Sequence, residues 1–533
     1  VVWCSSTPTR NCSRREQTAC EEKERSTEQP PTPTTVQRSR LRKHHQKRKV
    51  QIQYREMSEK PPVVVQGTAV ASPYDHNSLV SPGVETGGET EFTRGEKQEV
   101  RCRDPIFAIL LYANVGAIAA VVGAYGTSSF EDAVGGATEM SGYVYAALVT
   151  GVFSIVLSAL GLFVMLACPE TMVKTSLIFV VIMSGVWMVV SFISGSILAG
   201  IIGAIFFLLM LCYARAVWSR IPFATVNLVT AITAVKKNCG IIPTAYFMVA
   251  LAFAWSLLWT VAFVAIWDRT ASCDANNNCS PNYGYLFLLF VSYFFTHQVI
   301  QNTVHTTTAG VIGTWWFAPE EAGSCCSSAV RDSMCRSLTT SFGSICFGSL
   351  IVAVIQALRQ LANAARANDD GNAILVCIAE CILNCLANLA EYFNKWAYVY
   401  VGLYGYPYLQ AGKNVLTLFR NRGWEAIIAD DLVSNTLFFV SVVVGLLSGA
   451  VGYGLARTTD WFDNVQDDGL LASFVFGLII GLVLTSIMMS VIGSGVNAVI
   501  VCFAEAPAEF QQNHPELSQK MRDTWIAAFP DCM

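Results

Sequence analysis

The chain has 533 residues, of which 53% are hydrophobic and only 14% charged, against roughly 25% charged in an ordinary soluble domain. That balance argues against a soluble globular protein and for one that crosses a bilayer several times. The formal net charge of −4 says nothing about partners, because it averages a charged tail with an apolar remainder.

Charge is concentrated at the start: 18 of the 35 Lys and Arg residues precede position 104. Residues 1–100 are rich in Ser, Thr, Pro, Glu and Arg and carry too little apolar surface to offset the entropy of ordering. They are expected to form a disordered, polar cytoplasmic tail. No secretory signal pattern opens the sequence, and the first residues, Val-Val-Trp, lack the initiating Met expected of a complete chain. The basic block Arg38–Lys49 reads first as solvated tail and second as a contact for anionic inner-leaflet lipid. With an apolar domain behind it, a nucleic-acid role is set aside.

Beyond position 104 come long windows free of Asp, Glu, Lys and Arg, at 105–130, 140–169, 175–214, 275–319, 337–358, 432–456 and 469–504. A bilayer core takes about 20 apolar residues per helix. Hydropathy places ten helices, at about 105–125, 143–168, 173–193, 196–214, 243–267, 284–316, 338–361, 373–393, 430–456 and 471–501. The third and fourth are parted at Ser191–Ile197, where Ser-Gly-Ser favours a turn. The sixth exceeds the bilayer thickness and is expected to tilt or protrude. The fold class is therefore all-α: a polytopic membrane protein with a ten-helix domain over 101–504 and a short tail over 505–533.

Basic residues remain on the cytoplasmic side of a membrane. With the N-terminus inside, the inner connections hold eleven, from Lys174 to Arg422, and the outer ones only Arg269, Arg366 and Arg457. Both termini are expected in the cytoplasm. The run "NKWAYVYVGLYGYPYLQAGKNV" (394–415) contains Gly402, Gly405 and Pro407. Counting it as a further span would put Lys413, Arg420 and Arg422 outside. Residues 394–429 are therefore expected to lie at the cytoplasmic interface, where Tyr and Trp are favoured.

Cys273 and Cys279 fall in a tight outer loop and are a disulfide candidate. Cys325 and Cys326 follow an inner helix end and are candidates for palmitoylation, with two free thiols as the alternative.

Polar side chains at membrane depth are costly and face the bundle interior or a hydrated path. In the sixth helix Tyr293, His297, Gln301 and His305 recur every four residues, flanked by Gln298 and Asn302. In the eighth, Glu380, Asn384 and Asn388 repeat the spacing and continue to Glu391. Each set shares one helix face. Interhelical hydrogen bonding explains any single member at about 1 kcal/mol per contact; two stripes together point to a path. Glu380 is the one acidic residue well inside an expected span, with Arg359, a histidine or a transported cation as its partner. Trp255 and Trp259 share a face of the fifth helix, and Tyr112 and Asn114 interrupt the first. Aromatic faces with a nearby carboxylate are what holds a quaternary ammonium, at about 2 kcal/mol per face when desolvated, although aromatics at helical spacing are more often plain packing. Of six His, four lie in expected soluble segments, so histidine boxes are missing. Neither an enzyme, nor a metal site, nor a cofactor is expected.

Three segments carry a resemblance. "FNKWAYVYVGLYGYPYLQAGKNVLTLFRNRGW" (393–424), "VCFAEAPAEFQQNHPELSQKM" (501–521) and "RCRDPIFAILLYANVGA" (101–117) resemble the choline transporter-like family over about residue 100 to the end. The resemblance implies a ten-helix solute carrier with cytoplasmic termini and choline, or else ethanolamine, as substrate. Only about fifteen residues (127–142) separate the first two spans, which resembles the fungal, plant and protist branch. The overall expectation is an alternating-access carrier of a small organic cation in the plasma membrane, with an organelle membrane as the alternative location. The competing readings are a non-transporting scaffold or sensor, and a channel.

Overall fold

The computed structural model describes residues 95–125, 141–270, 272–273, 279–280, 282–325, 327–366, 373–422, 426–459 and 469–529. The basic block Arg38–Lys49, the connection at 126–140 and Cys326 lie outside the described residues.

In chain order the helices are α1 (Pro105–Tyr125), α2 (Ser141–Ala167), α3 (Pro169–Ile193), α4 (Ile197–Val217), α5 (Ile221–Lys237), α6 (Ile241–Thr270), α7 (Tyr283–Phe317), α8 (Ser328–Leu338), α9 (Phe342–Arg366), α10 (Ala373–Tyr404), α11 (Tyr408–Arg422), α12 (Ala426–Thr458), α13 (Gly469–Glu505), α14 (Pro507–Asn513) and α15 (Pro515–Ala528). A two-residue antiparallel ladder between α6 and α7 sets Cys273 opposite Cys279; their side chains lie outside the described residues.

Nine described helices are long and apolar enough to cross a membrane: α1, α2, α3, α4, α6, α7, α9, α12 and α13. Helix α10, the eighth of the ten expected spans, is not among them, because Glu380, Asn384, Asn388, Glu391, Asn394 and Lys395 dilute its hydropathy. It runs antiparallel to α9. Gln356 Nε2 donates to Glu391 Oε1 at 2.8 Å, Asn394 Nδ2 to the Gly348 carbonyl at 2.9 Å, and the Tyr398 hydroxyl to the Ile345 carbonyl at 2.9 Å. The protein is a polytopic, all-α membrane protein.

Local sequence explains the breaks. Pro169 opens α3 at the first helical position, where no N–H is missed. Gly195 closes the α3–α4 turn with φ +79°, a left-handed conformation that Gly adopts without penalty. Asn282 caps α7 by accepting from the backbone N–H of Gly284 and Tyr285, satisfying donors that a helix start leaves orphaned.

Small residues set the closest helix pair. A Cβ on Gly477 would stand 2.6 Å from the Ser448 carbonyl, and one on Gly452 2.4 Å from that of Ser473, so α12 and α13 touch backbone to backbone, as small-residue faces allow in membranes. Hydroxyl pairs join α2 and α3 to this pair: Ser154 with Ser448 at 2.7 Å, Ser158 with Thr485 at 2.8 Å and Ser176 with Thr436 at 2.9 Å. Each contributes roughly 0.6 kcal/mol.

The long helices protrude at one end into a protein cap built with α5, α8, α11, α14 and α15. At 35 residues, α7 is about 52 Å long against a hydrocarbon core of about 30 Å. Every residue from Thr306 to Phe317 is buried, so α7 extends into protein. Helix α5, absent from the expected spans, is a largely buried cap helix with Lys236 and Lys237 in its last turn, where cations suit the carbonyl end.

The interfacial placement of 394–429 needs correcting. Residues 394–404 continue α10 without a break, and Trp396, Tyr398, Tyr400 and Tyr404 are all buried. The turn comes only at Gly405 (φ +79°) and Pro407. The tyrosines are not a belt against lipid. Their hydroxyls bond to protein groups, and a buried hydroxyl needs such a partner.

Candidate functional site

A polar seam runs where α7, α9, α10, α12 and α13 meet. Asn302 Nδ2 donates to Ser349 Oγ at 3.0 Å and to Gln298 Oε1 at 3.4 Å; Gln298 Nε2 reaches Gln356 Oε1 at 3.5 Å. Gln356 in turn bonds Glu391. His305 lies one turn further along α7, with Nε2 2.8 Å from the Lys395 carbonyl and Nδ1 2.7 Å from Ser494 Oγ. A carbonyl only accepts, so Nε2 carries the proton, and Nδ1 of a neutral ring takes the Ser494 hydroxyl. The Lys395 ammonium pairs with Asp430 on α12, a buried carboxylate. One chain of bonds thus links α13, α7, α10 and α12.

At the capped end lies a carboxylate ringed by tyrosines. Glu505, the buried last residue of α13, accepts from the Tyr400 hydroxyl at 2.7 Å, from the Tyr404 hydroxyl and from the Gly95 N–H at 3.0 Å. Tyr400, Tyr404 and Tyr406 stand 5.5 to 6.4 Å apart by ring centroids. Burial raises the pKa of Tyr406, and the nearby Glu96 and Glu505 carboxylates raise it further against hydrogen bonding to Glu96 and Gln98.

The structure distributes the residues singled out in the sequence over separate sites. Trp259, Tyr293 and His297 come together, with ring centroids 4.8 Å and 5.0 Å apart along the series. Trp259 Nε1 donates to the Leu289 carbonyl at 2.8 Å, and His297 Nε2 lies 3.3 Å from Ser256 Oγ. Trp255 is buried beside Ile118 and Leu289. Asn114 Nδ2 reaches Thr296 Oγ1 at 3.1 Å, whereas Tyr112 is exposed and meets Phe342, 5.9 Å away by ring centroids. His305 joins the seam, bonding to α10 and α13 rather than to the helix that carries the tryptophans. Gln301 and Asn388 are exposed near the middle of their helices, and Glu380 and Asn384 are half-buried. Cys325 lies beside Cys239 (Cα–Cα 4.6 Å), close enough for the two to pair. Among the described residues no cluster of three or more His, Cys, Asp or Glu is placed to hold a metal.

Lys395, Asp430 and Glu505 were not foreseen. Lys395 reads as a loop charge and Glu505 as tail, and their partners lie 35 to 410 positions away. The usable signal was Tyr400 and Tyr404 at a spacing of four on an apolar helix.

A family model described as plasma-membrane choline transporter matches residues 201–508. The chain belongs to the choline transporter-like family. It is 29% identical over 459 residues to a CTL-like protein of Dictyostelium discoideum, covering 84% of this chain and 79% of that one. It is 30% identical over 448 residues to the protein PNS1 of Mycosarcoma maydis, covering 79% and 83%. It is 32% identical over 338 residues to PNS1 of Gibberella zeae, covering 61% and 62%. Membership supports a membrane transporter, and the polar seam of this choline transporter-like protein lies inside the matched region.

Proposed function

We propose that the protein carries choline or a related small organic cation, ethanolamine included, across a membrane by alternating access, with the capped end and both termini in the cytoplasm. One observation carries the reading. Gln301, Asn388 and Glu391 are exposed at mid-helix, and hydrocarbon solvates neither amides nor carboxylates, so this reading gives them water rather than lipid as their surroundings. Trp259, Tyr293 and His297 supply clustered ring faces that suit an ammonium with no proton to donate, and in this reading the carboxylate comes from Glu380 or Glu391 on the separate helix α10. Cation entry driven by membrane potential needs no second ion, at about 2.3 kcal/mol per charge per 100 mV.

Uptake of labelled choline into vesicles reconstituted with the full chain, competed with ethanolamine, tests this. Saturable uptake, lowered by Trp259→Ala and by Glu380→Gln or Glu391→Gln, is expected. No uptake, or full uptake in all three variants, sinks the assignment. Because the seam's groups pair with one another, a non-transporting scaffold is the reading that absence of uptake would favour; ohmic, unsaturable current would favour a channel.

A further inference from the structure

We infer that residues 95–104 form a strap that locks the capped end of the bundle shut, and that its release is required for that end to open. The segment has no helix of its own, yet it is anchored at both ends and in between. The Gly95 N–H donates to Glu505 on α13, the Glu96 N–H to the Tyr406 hydroxyl at 3.1 Å, and the Gln98 N–H to the Tyr404 carbonyl of α10 at 2.8 Å. The Arg103 N–H donates to the Thr340 carbonyl just before α9 at 2.8 Å.

Asp104 completes the strap. Just ahead of Pro105 its φ is +47°, a region that non-Gly residues seldom occupy. Its carboxylate accepts from Ser344 Oγ on α9 at 2.6 Å and from the Tyr408 N–H of α11 at 3.1 Å. A Cβ on Gly343 would stand 2.2 Å from the Arg103 carbonyl, so the strap lies backbone to backbone on α9. Such local strain persists where surrounding bonds over-determine it.

The strap therefore ties the ends of α9, α10, α11 and α13 to one another. Three of these helices line the polar seam. A path between them cannot open at this end while one stretch of chain bonds to all of them. That consequence rests on the transporter reading only for its effect on transport; the locking itself is measurable without substrate.

Gly95 offers a way to lift the strap. A Cβ there would stand 2.5 Å from Tyr404 Cε2, and that ring is buried and held through its hydroxyl by Glu505, so it cannot swing aside. In the full-length protein, Gly95→Val and, independently, Tyr406→Phe are compared with wild type by two readouts. One is tryptic cleavage after Lys97, whose scissile amide is the one bonded to Tyr404. The other is alkylation of the buried Cys502, three residues before Glu505, quantified by peptide mass spectrometry. Both rates are expected to rise about tenfold or more, as local opening governs access. Faster cleavage with Cys502 still protected would show that the strap lifts without opening the end, and overturns the inference; so would unchanged cleavage in both variants. If Gly95→Val fails to fold, Tyr406→Phe decides. Reconstituted uptake is expected to accelerate in the variants. Absence of all uptake together with raised Cys502 labelling would reject the carrier and leave the lock standing.

Discussion

His305 donates its Nε2 proton to the carbonyl of Lys395, 2.8 Å away, so the crossing of α7 and α10 is fixed by a side chain as well as by packing. Close by, Gly310 and Gly402 bring the two backbones together, and a Cβ on Gly402 would stand 2.5 Å from the Thr306 carbonyl. His305→Ala removes the partner of a buried carbonyl and of the Ser494 hydroxyl. It is expected to cost about 1–3 kcal/mol, the penalty for leaving such groups unmade. The measurement is the thermal midpoint of purified protein in detergent; an unchanged midpoint would mean that water replaces the imidazole.

The Lys395–Asp430 pair should behave asymmetrically under mutation. Removing one partner of a buried pair costs roughly 3–5 kcal/mol, whereas replacing both with apolar groups is often neutral. The Lys395 side chain is 27% exposed, which favours the lower end of that range. Asp430→Asn and Lys395→Met are each expected to lower the thermal midpoint, and the double replacement Lys395→Met with Asp430→Leu to recover much of the loss. A double variant as unstable as the two singles summed would show that the pair is not coupled.

How far the sequence reached follows from which interactions are local. Apolar runs and the charge asymmetry depend on neighbouring residues, so the spans, the polytopic class and the family resemblance were legible in advance. Helix α10 was legible only in part, because its seam residues Glu391, Asn394 and Lys395 look like the end of a span. The run 394–404 looks interfacial in the sequence for the same reason. Tyr and Trp beside Gly and Pro describe an interface equally well until Tyr400 is seen to bond Glu505, 105 positions away. His305 was found by its spacing of four from Gln301, but spacing along one helix does not say which neighbour each member meets. His297 and His305 accordingly face different helices.

The α12–α13 contact gives a sharper test of packing. Gly452→Val places side-chain atoms where the Ser473 carbonyl already stands, so the helices must separate. Overpacking of this kind costs about 1–3 kcal/mol or more. Gly454, two residues on, has nothing within 4 Å of a built Cβ, and Gly454→Ala is expected to be silent. Folded yield by size-exclusion chromatography separates the two. Equal yields would mean that the helix pair tolerates wider spacing than its glycines suggest.

Acid sensitivity should come in part from His514, which joins α14 to α15 in the cap. Its ring lies 4.0 Å from that of Trp315, nearly parallel, with Nε2 3.1 Å from the Trp315 carbonyl. Burial lowers its pKa below the ordinary 6.5; the bond to Trp315 works against this, and the Lys237 charge adds to the lowering. A histidine kept neutral in the folded state binds fewer protons than its unfolded counterpart between the two pKa values, so folding stability rises with pH across that window. The contribution is complete above 6.5 and is lost as the pH falls from there through the lowered value. The thermal midpoint of wild type is therefore expected to drop more steeply from pH 7 to pH 5 than that of His514→Gln, which carries no titrating ring. Parallel profiles would place the acid-sensitive group elsewhere.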